Sequence, residues 1–163
     1  MKAFVLILCI LLSFPIWGQD DFEESFNKQY EINIKKEFIN DVYIPATIEE
    51  AFDELTRLAN PDAIAKFRKA DEKEIETKLH FGLGRWMMVN WNFEDGSRLS
   101  HVIKEMGVTF PDDMCQFLIV SFHRHLNNKP LELEARANMY FERRKKEHEK
   151  RLAQNSHIIV KNN

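Results

Sequence analysis

Leu79-His80-Phe81-Gly82-Leu83-Gly84-Arg85-Trp86-Met87-Met88-Val89-Asn90-Trp91 holds two of the chain's three tryptophans and one full charge, in a sequence that is 30% charged. On a helix turning about 100° per residue, Leu79, Leu83, Trp86, Met87 and Asn90 share one side, with Gly82 and Val89 beside them. Phe81 and Met88 fall on the opposite side. A helix apolar on both sides is a buried one, so the stretch reads as the inner post of a helical bundle. Two glycines oppose that reading, since each costs about 1 kcal/mol against alanine in a helix interior. Either close packing offsets the cost and the helix runs on, straight or slightly bent, or the chain breaks at Gly82–Gly84 and restarts near Arg85. The expectation is the continuous or slightly bent helix. Asn90 on the apolar side needs partners, because an unpaired buried amide costs about 1–3 kcal/mol. A local bond to a neighbouring helix end is expected there, and the floor of a pocket is the alternative.

The flanking signals are helical too. Thr47-Ile48-Glu49-Glu50 reads as a capping box that opens a helix with Ile48, Ala51, Phe52, Leu55 and Leu58 at helical spacing. Asn60-Pro61-Asp62 repeats the start signal for a short helix with Ile64 and Phe67, and Asp71-Glu72-Lys73-Glu74 leads through Ile75 into the central stretch. Glu94-Asp95-Gly96 is a turn, Ser97 caps a helix with Leu99, Val102, Ile103 and Met106 on one face, and Gly107 stops it. Phe110-Pro111-Asp112-Asp113 opens the next helix, whose apolar face is Met114, Cys115, Leu118, Ile119, Phe122 and Leu126. After Asn127-Asn128-Lys129-Pro130 a last helix runs from about Leu131 to Ala153, apolar early and charged later. No strong period-2 run and no internal repeat appears. The fold expected is a compact all-α single-domain bundle of six or seven mostly short helices around a buried central helix at about 80–91.

The ends read differently. Lys2, the apolar run Ala3–Phe14 and Pro15-Ile16-Trp17-Gly18 form the pattern of a secretory signal peptide over 1–18, cut between Gly18 and Gln19. A membrane span needs about 20 apolar residues, more than this run supplies, and an uncleaved anchor is the lesser alternative. Cys9 lies inside the run, a poor place for a lipid acceptor. Losing Lys2 with the leader takes the formal net charge from −3 to −4. Cys115 is then the one cysteine left, so no internal disulfide is expected. Residues 19–41 begin acidic, at Asp20, Asp21, Glu23 and Glu24, and show no convincing period. They read as a mobile polar leader with a short helix or strand around Tyr30–Phe38, before the extended Val42-Tyr43-Ile44-Pro45. The helical domain is placed at 42–153 and a tail at 154–163. Export to the periplasm or outside the cell is the expectation for such a chain.

His80-Phe81-Gly82-Leu83-Gly84, Trp86, Asn90-Trp91, Ser97-Arg98-Leu99 and Pro111-Asp112-Asp113-Met114 together resemble an uncharacterised bacterial family, a domain of unknown function. The resemblance covers roughly residues 42–141 and implies no activity. The chain departs from the family pattern at Val89, where a second Asn precedes Asn90, and at Cys115, where Ser is common.

Candidate chemistry is sparse. His123 and His125 diverge by about 200° on a helix and cannot share an ion. His101 and Glu105 lie four apart on a polar face, where a solvated pair is the default, and a zinc site needs three or four converging ligands. No metal and no cofactor is expected. Ser97 needs no role beyond capping, and Cys115 on an apolar face behaves as a small hydrophobe. Asp112 and Asp113 suit the free amides of a first helical turn. Arg98, also in a first turn, is disfavoured by the helix dipole, so it is expected to pair with Asp95, Asp112 or Asp113, or to clamp an anion. The run 142–151 has Glu142–Lys146 and Glu147–Arg151 in the favourable order for a solvated helix. Contact of this run with a membrane surface is the alternative, and nucleic acid is excluded by net charge.

Two functions remain. The first is an exported, non-catalytic binding or interaction module with an unknown protein or small-molecule partner. Its candidate binding residues are His80, Arg85, Trp86, Asn90, Trp91, Arg98, Asp112 and Asp113. The alternative is a small hydrolase-like enzyme using His80, Arg98 and Asp112 or Asp113 in a pocket lined by Trp86 and Trp91; it requires those side chains to converge.

Overall fold

Most of the helices in the middle of the chain begin where the sequence supplies a group for the free amides of the first turn. The structure is a computed structural model that describes residues 18–161; the leader read over 1–18 lies, apart from Gly18, outside the described residues. Helix α1 spans Gly18–Asn33. A hairpin comes next, β1 (Phe38–Ile39) antiparallel to β2 (Val42–Tyr43), with Asn40 and Asp41 at positive φ in the turn between them. Thr47 accepts from the Glu50 amide and starts α2 (Ile48–Leu58). The capping box is half made: the Glu50 carboxylate turns instead to the Ala46 amide at 2.7 Å and the Tyr43 hydroxyl at 2.9 Å, tying the hairpin to the helix. Asn60 caps α3 (Pro61–Lys69) and Asp71 caps α4 (Glu72–Lys78). Ser97 and Ser100 form a reciprocal box at the start of α6 (Arg98–Glu105), and beyond its end Gly107 sits at φ +102. Pro111 occupies the first turn of α7 (Pro111–Leu126), and α8 runs Leu133–Lys161.

The central stretch departs from expectation. His80–Gly84 is a π turn, in which the Gly84 amide reaches the Leu79 carbonyl five residues back at 3.0 Å, and α5 (Arg85–Asn90) continues from it. The backbone stays right-handed helical at Leu79, Gly84 and Arg85, so the path does not stop at the glycines; it widens there by about one residue. That extra residue rotates α5 out of the 3.6-residue wheel. Met87 and Trp91 point inward and are wholly buried, whereas Phe81 is 82% exposed and Val89 67%.

The inner post is α7, not residues 80–91. Ten of its sixteen residues are buried, on all sides of the helix, and it packs against α2, α3, α4, the π turn, α5, α6 and α8. Phe122 stacks between Phe52 of α2 and Phe67 of α3, at ring distances of 5.8 and 5.4 Å. Each such ring contributes about 2–3 kcal/mol on leaving water. Eight α-helices form among the described residues, one more than the upper expectation, because 19–41 holds α1 where no period is readable. Its C-terminal turn docks through Tyr30, whose hydroxyl lies 3.0 Å from His101 Nδ1, and through Asn33, which donates to the Asp95 carbonyl.

Candidate functional site

The π turn places His80 and Phe81 side by side at the surface, with α5 carrying Arg85 and Val89 onward at four-residue steps. Both Phe81 and Val89 border a cavity of about 380 Å³ with His80, Arg85, Met88, Glu94 and Asp112. Asp112, in the first turn of α7, approaches His80: Oδ1 lies 3.6 Å from Nε2, an ion-pair distance but too long for a hydrogen bond. His80 Nδ1 is buried and has no hydrogen-bond partner among the described residues. Gly84 lies against α7, with Cys115 Sγ donating to its carbonyl at 3.1 Å. Burial pushes the Cys115 thiol up to about 12, with the Asp112 charge adding to it. A thiol so placed stays protonated and inert.

The other residues singled out from the sequence lie apart from this cavity. Trp86 is half-buried and meets Trp91 edge-on at 5.6 Å. Trp91 is wholly buried and fills the core against Phe93. Asn90 donates to the Trp86 carbonyl of its own helix at 2.8 Å, a local bond made within α5 rather than to a neighbouring helix end. Arg98 donates to the Ile44 carbonyl at 2.5 Å, stacks over Tyr43 and lies 4.0 Å from Glu50. The pairing expected of it with Asp95, Asp112 or Asp113 does not form, because the hairpin end is nearer to the start of α6. Asp113 is buried under α8, where Arg144 grips it through two nitrogens at 2.6 and 2.7 Å and Arg143 through one at 2.7 Å. Arg143 and Arg144 therefore turn inward, and Glu147 pairs with Arg144 three residues back rather than with Arg151. His80, Arg98 and Asp113 thus belong to three separate contact sets, and only His80, Arg85 and Asp112 of the candidate residues share one cavity.

His123 bonds the Ala70 carbonyl and His125 lies against the Phe52 ring. Among the described residues no group of three His, Cys, Asp or Glu side chains could hold a metal ion, and no helix is long and apolar enough to cross a membrane. Sequence reasoning passes over Phe81, Val89 and Glu94 as site residues. The signal available is the glycine pair, which permits a π turn and so a change of face.

Fold and cavity together define a small, mostly helical domain with a solvent-facing aromatic turn. The chain belongs to the family described as Domain of unknown function (DUF6794), which matches residues 44–126, half of the chain. No curated protein and no solved structure matches it.

Proposed function

We propose that this domain is an exported bacterial docking module without catalysis of its own, and that its contact face is the one made by His80–Gly84 and α5. The observation that carries the reading is the exposure of Phe81 and Val89, 82% and 67%, around one cavity that Met88 also lines. Scattered surface hydrophobes are ordinary, but neighbouring ones that border a cavity and contribute nothing to the core mark contact sites. The catalytic alternative keeps only His80 and Asp112 at the cavity: Arg98 serves the hairpin and Asp113 serves α8. Nucleic acid is a poor partner for a chain of formal net charge −3.

The test is site-specific photo-crosslinking in the producing cell, with the probe placed at Phe81, Val89 or, as a control outside this face, the exposed Leu58 of α2. A discrete adduct from the first two positions and none from Leu58 supports the reading; equal labelling at all three, or none, overturns it. Export is tested separately by N-terminal sequencing of the exported protein, which should begin at or near Gln19. Finding Met1 there would refute cleavage.

A further inference from the structure

The docking face carries one cation and one anion with nothing to bind. Arg85 and Glu94 are both exposed and both border the cavity that Phe81 and Val89 flank, yet neither takes part in an ion pair or side-chain hydrogen bond among the described residues. The remaining charged or titratable groups at this rim, His80 and Asp112, already face each other at 3.6 Å. What is left uncommitted is a pair of opposite charges that border one cavity together with the apolar Phe81, Met88 and Val89. A partner bearing charges of one sign would satisfy one of them and bury the other unpaired, which is costly. A surface of this kind is complementary to itself after a half-turn, the condition for an isologous dimer.

We infer that the occupant of this face is a second copy of the chain, related by a two-fold axis, with each copy's Arg85 meeting the other's Glu94 across contacts made by Phe81 and Val89. The inference rests on the docking reading and names its partner. A stable complex buries roughly 800 Å² per partner; with Phe81 and Val89 as the large exposed apolar side chains each copy offers here, the dimer is a weak, concentration-dependent one.

Sedimentation equilibrium of the purified protein from about 1 µM to about 1 mM tests it. The wild type should move from monomer to dimer across that range, and Phe81→Asp should stay monomeric. Arg85→Glu and Glu94→Arg should each weaken association at least about tenfold, because each puts like charges opposite one another twice. Mixing those two variants supplies the decisive result. The mixed dimer has both pairs of opposite sign restored, so the mixture should associate about as well as the wild type, and its recovery also shows that both variants are folded. A wild type that is monomeric throughout, or a mixture no better than either variant alone, overturns the inference. If the wild type is monomeric while probes at Phe81 and Val89 still form adducts with another protein, only the second copy is lost and the docking face stands.

Discussion

At the scale of single residues, two glycines do opposite work. Gly96 sits at φ +88, and a β-carbon there would lie 2.2 Å from Cδ2 of Tyr30. Gly96→Ala must strain the backbone and expel the ring that docks α1, so urea unfolding should report a loss of about 2–3 kcal/mol. An unchanged midpoint would mean that Tyr30 is not held over this turn. Gly82 is the reverse case: a β-carbon there meets nothing within 4 Å, and its φ is not in the left-handed region. Gly82→Ala should therefore raise stability by about 0.5–1 kcal/mol in the same measurement. A loss instead would show that the π turn needs glycine for its conformation. Neither effect is legible from the sequence, where both are simply glycines among polar or apolar neighbours. Gly96 depends on a partner 66 positions away, and Gly82 on a turn that no wheel drawn at 3.6 residues contains.

At the scale of elements, the joints between helices are made by charges that local patterns do not assign. Glu72, in the first turn of α4, receives two bonds from Arg124 of α7, at 2.9 and 3.0 Å, with Lys129 at 3.6 Å. Burial pushes its carboxyl up, but the Arg124 bonds, with Lys129 and His123, more than cancel that and hold it below the ordinary range. A carboxyl held low stabilises the fold above its unfolded value, near 4.5, and loses that contribution as pH falls through the folded one. Glu72→Gln should thus be about 1–2 kcal/mol less stable near neutral pH, and the gap to wild type should close on acidification below about 4.5. A gap that persists in acid would trace the effect to packing rather than charge. The caps at Thr47, Asn60, Asp71 and Ser97 are readable in the sequence because they act within four residues. Arg98 and Asp113 are not, since their partners Ile44 and Arg144 come from remote parts of the chain. Helix α1 is hidden because its sequence has no apolar stripe; it is held by the polar contacts of Tyr30 and Asn33.

At the scale of the molecule, the helical class comes from the pattern of starts and stops, and the identity of the inner helix does not. Two stretches compete for that place. Residues 111–126 show an apolar face at helical spacing, and 79–91 are apolar all round; only a register that stays at 3.6 makes the second the better post. The π turn breaks that register, so α7 becomes the hub and the tryptophan-bearing segment becomes a rim, sending Met87 and Trp91 inward and Phe81 and Val89 outward. The exposed face that carries the proposed docking follows from that turn. Unfolding Phe81→Asp in urea tests this arrangement most directly. If the segment is a rim, the variant keeps its stability to within about 0.5 kcal/mol of wild type. A loss of about 3–5 kcal/mol, the cost of emptying a core aromatic site, would return Phe81 to the interior and remove the face on which the proposed function stands.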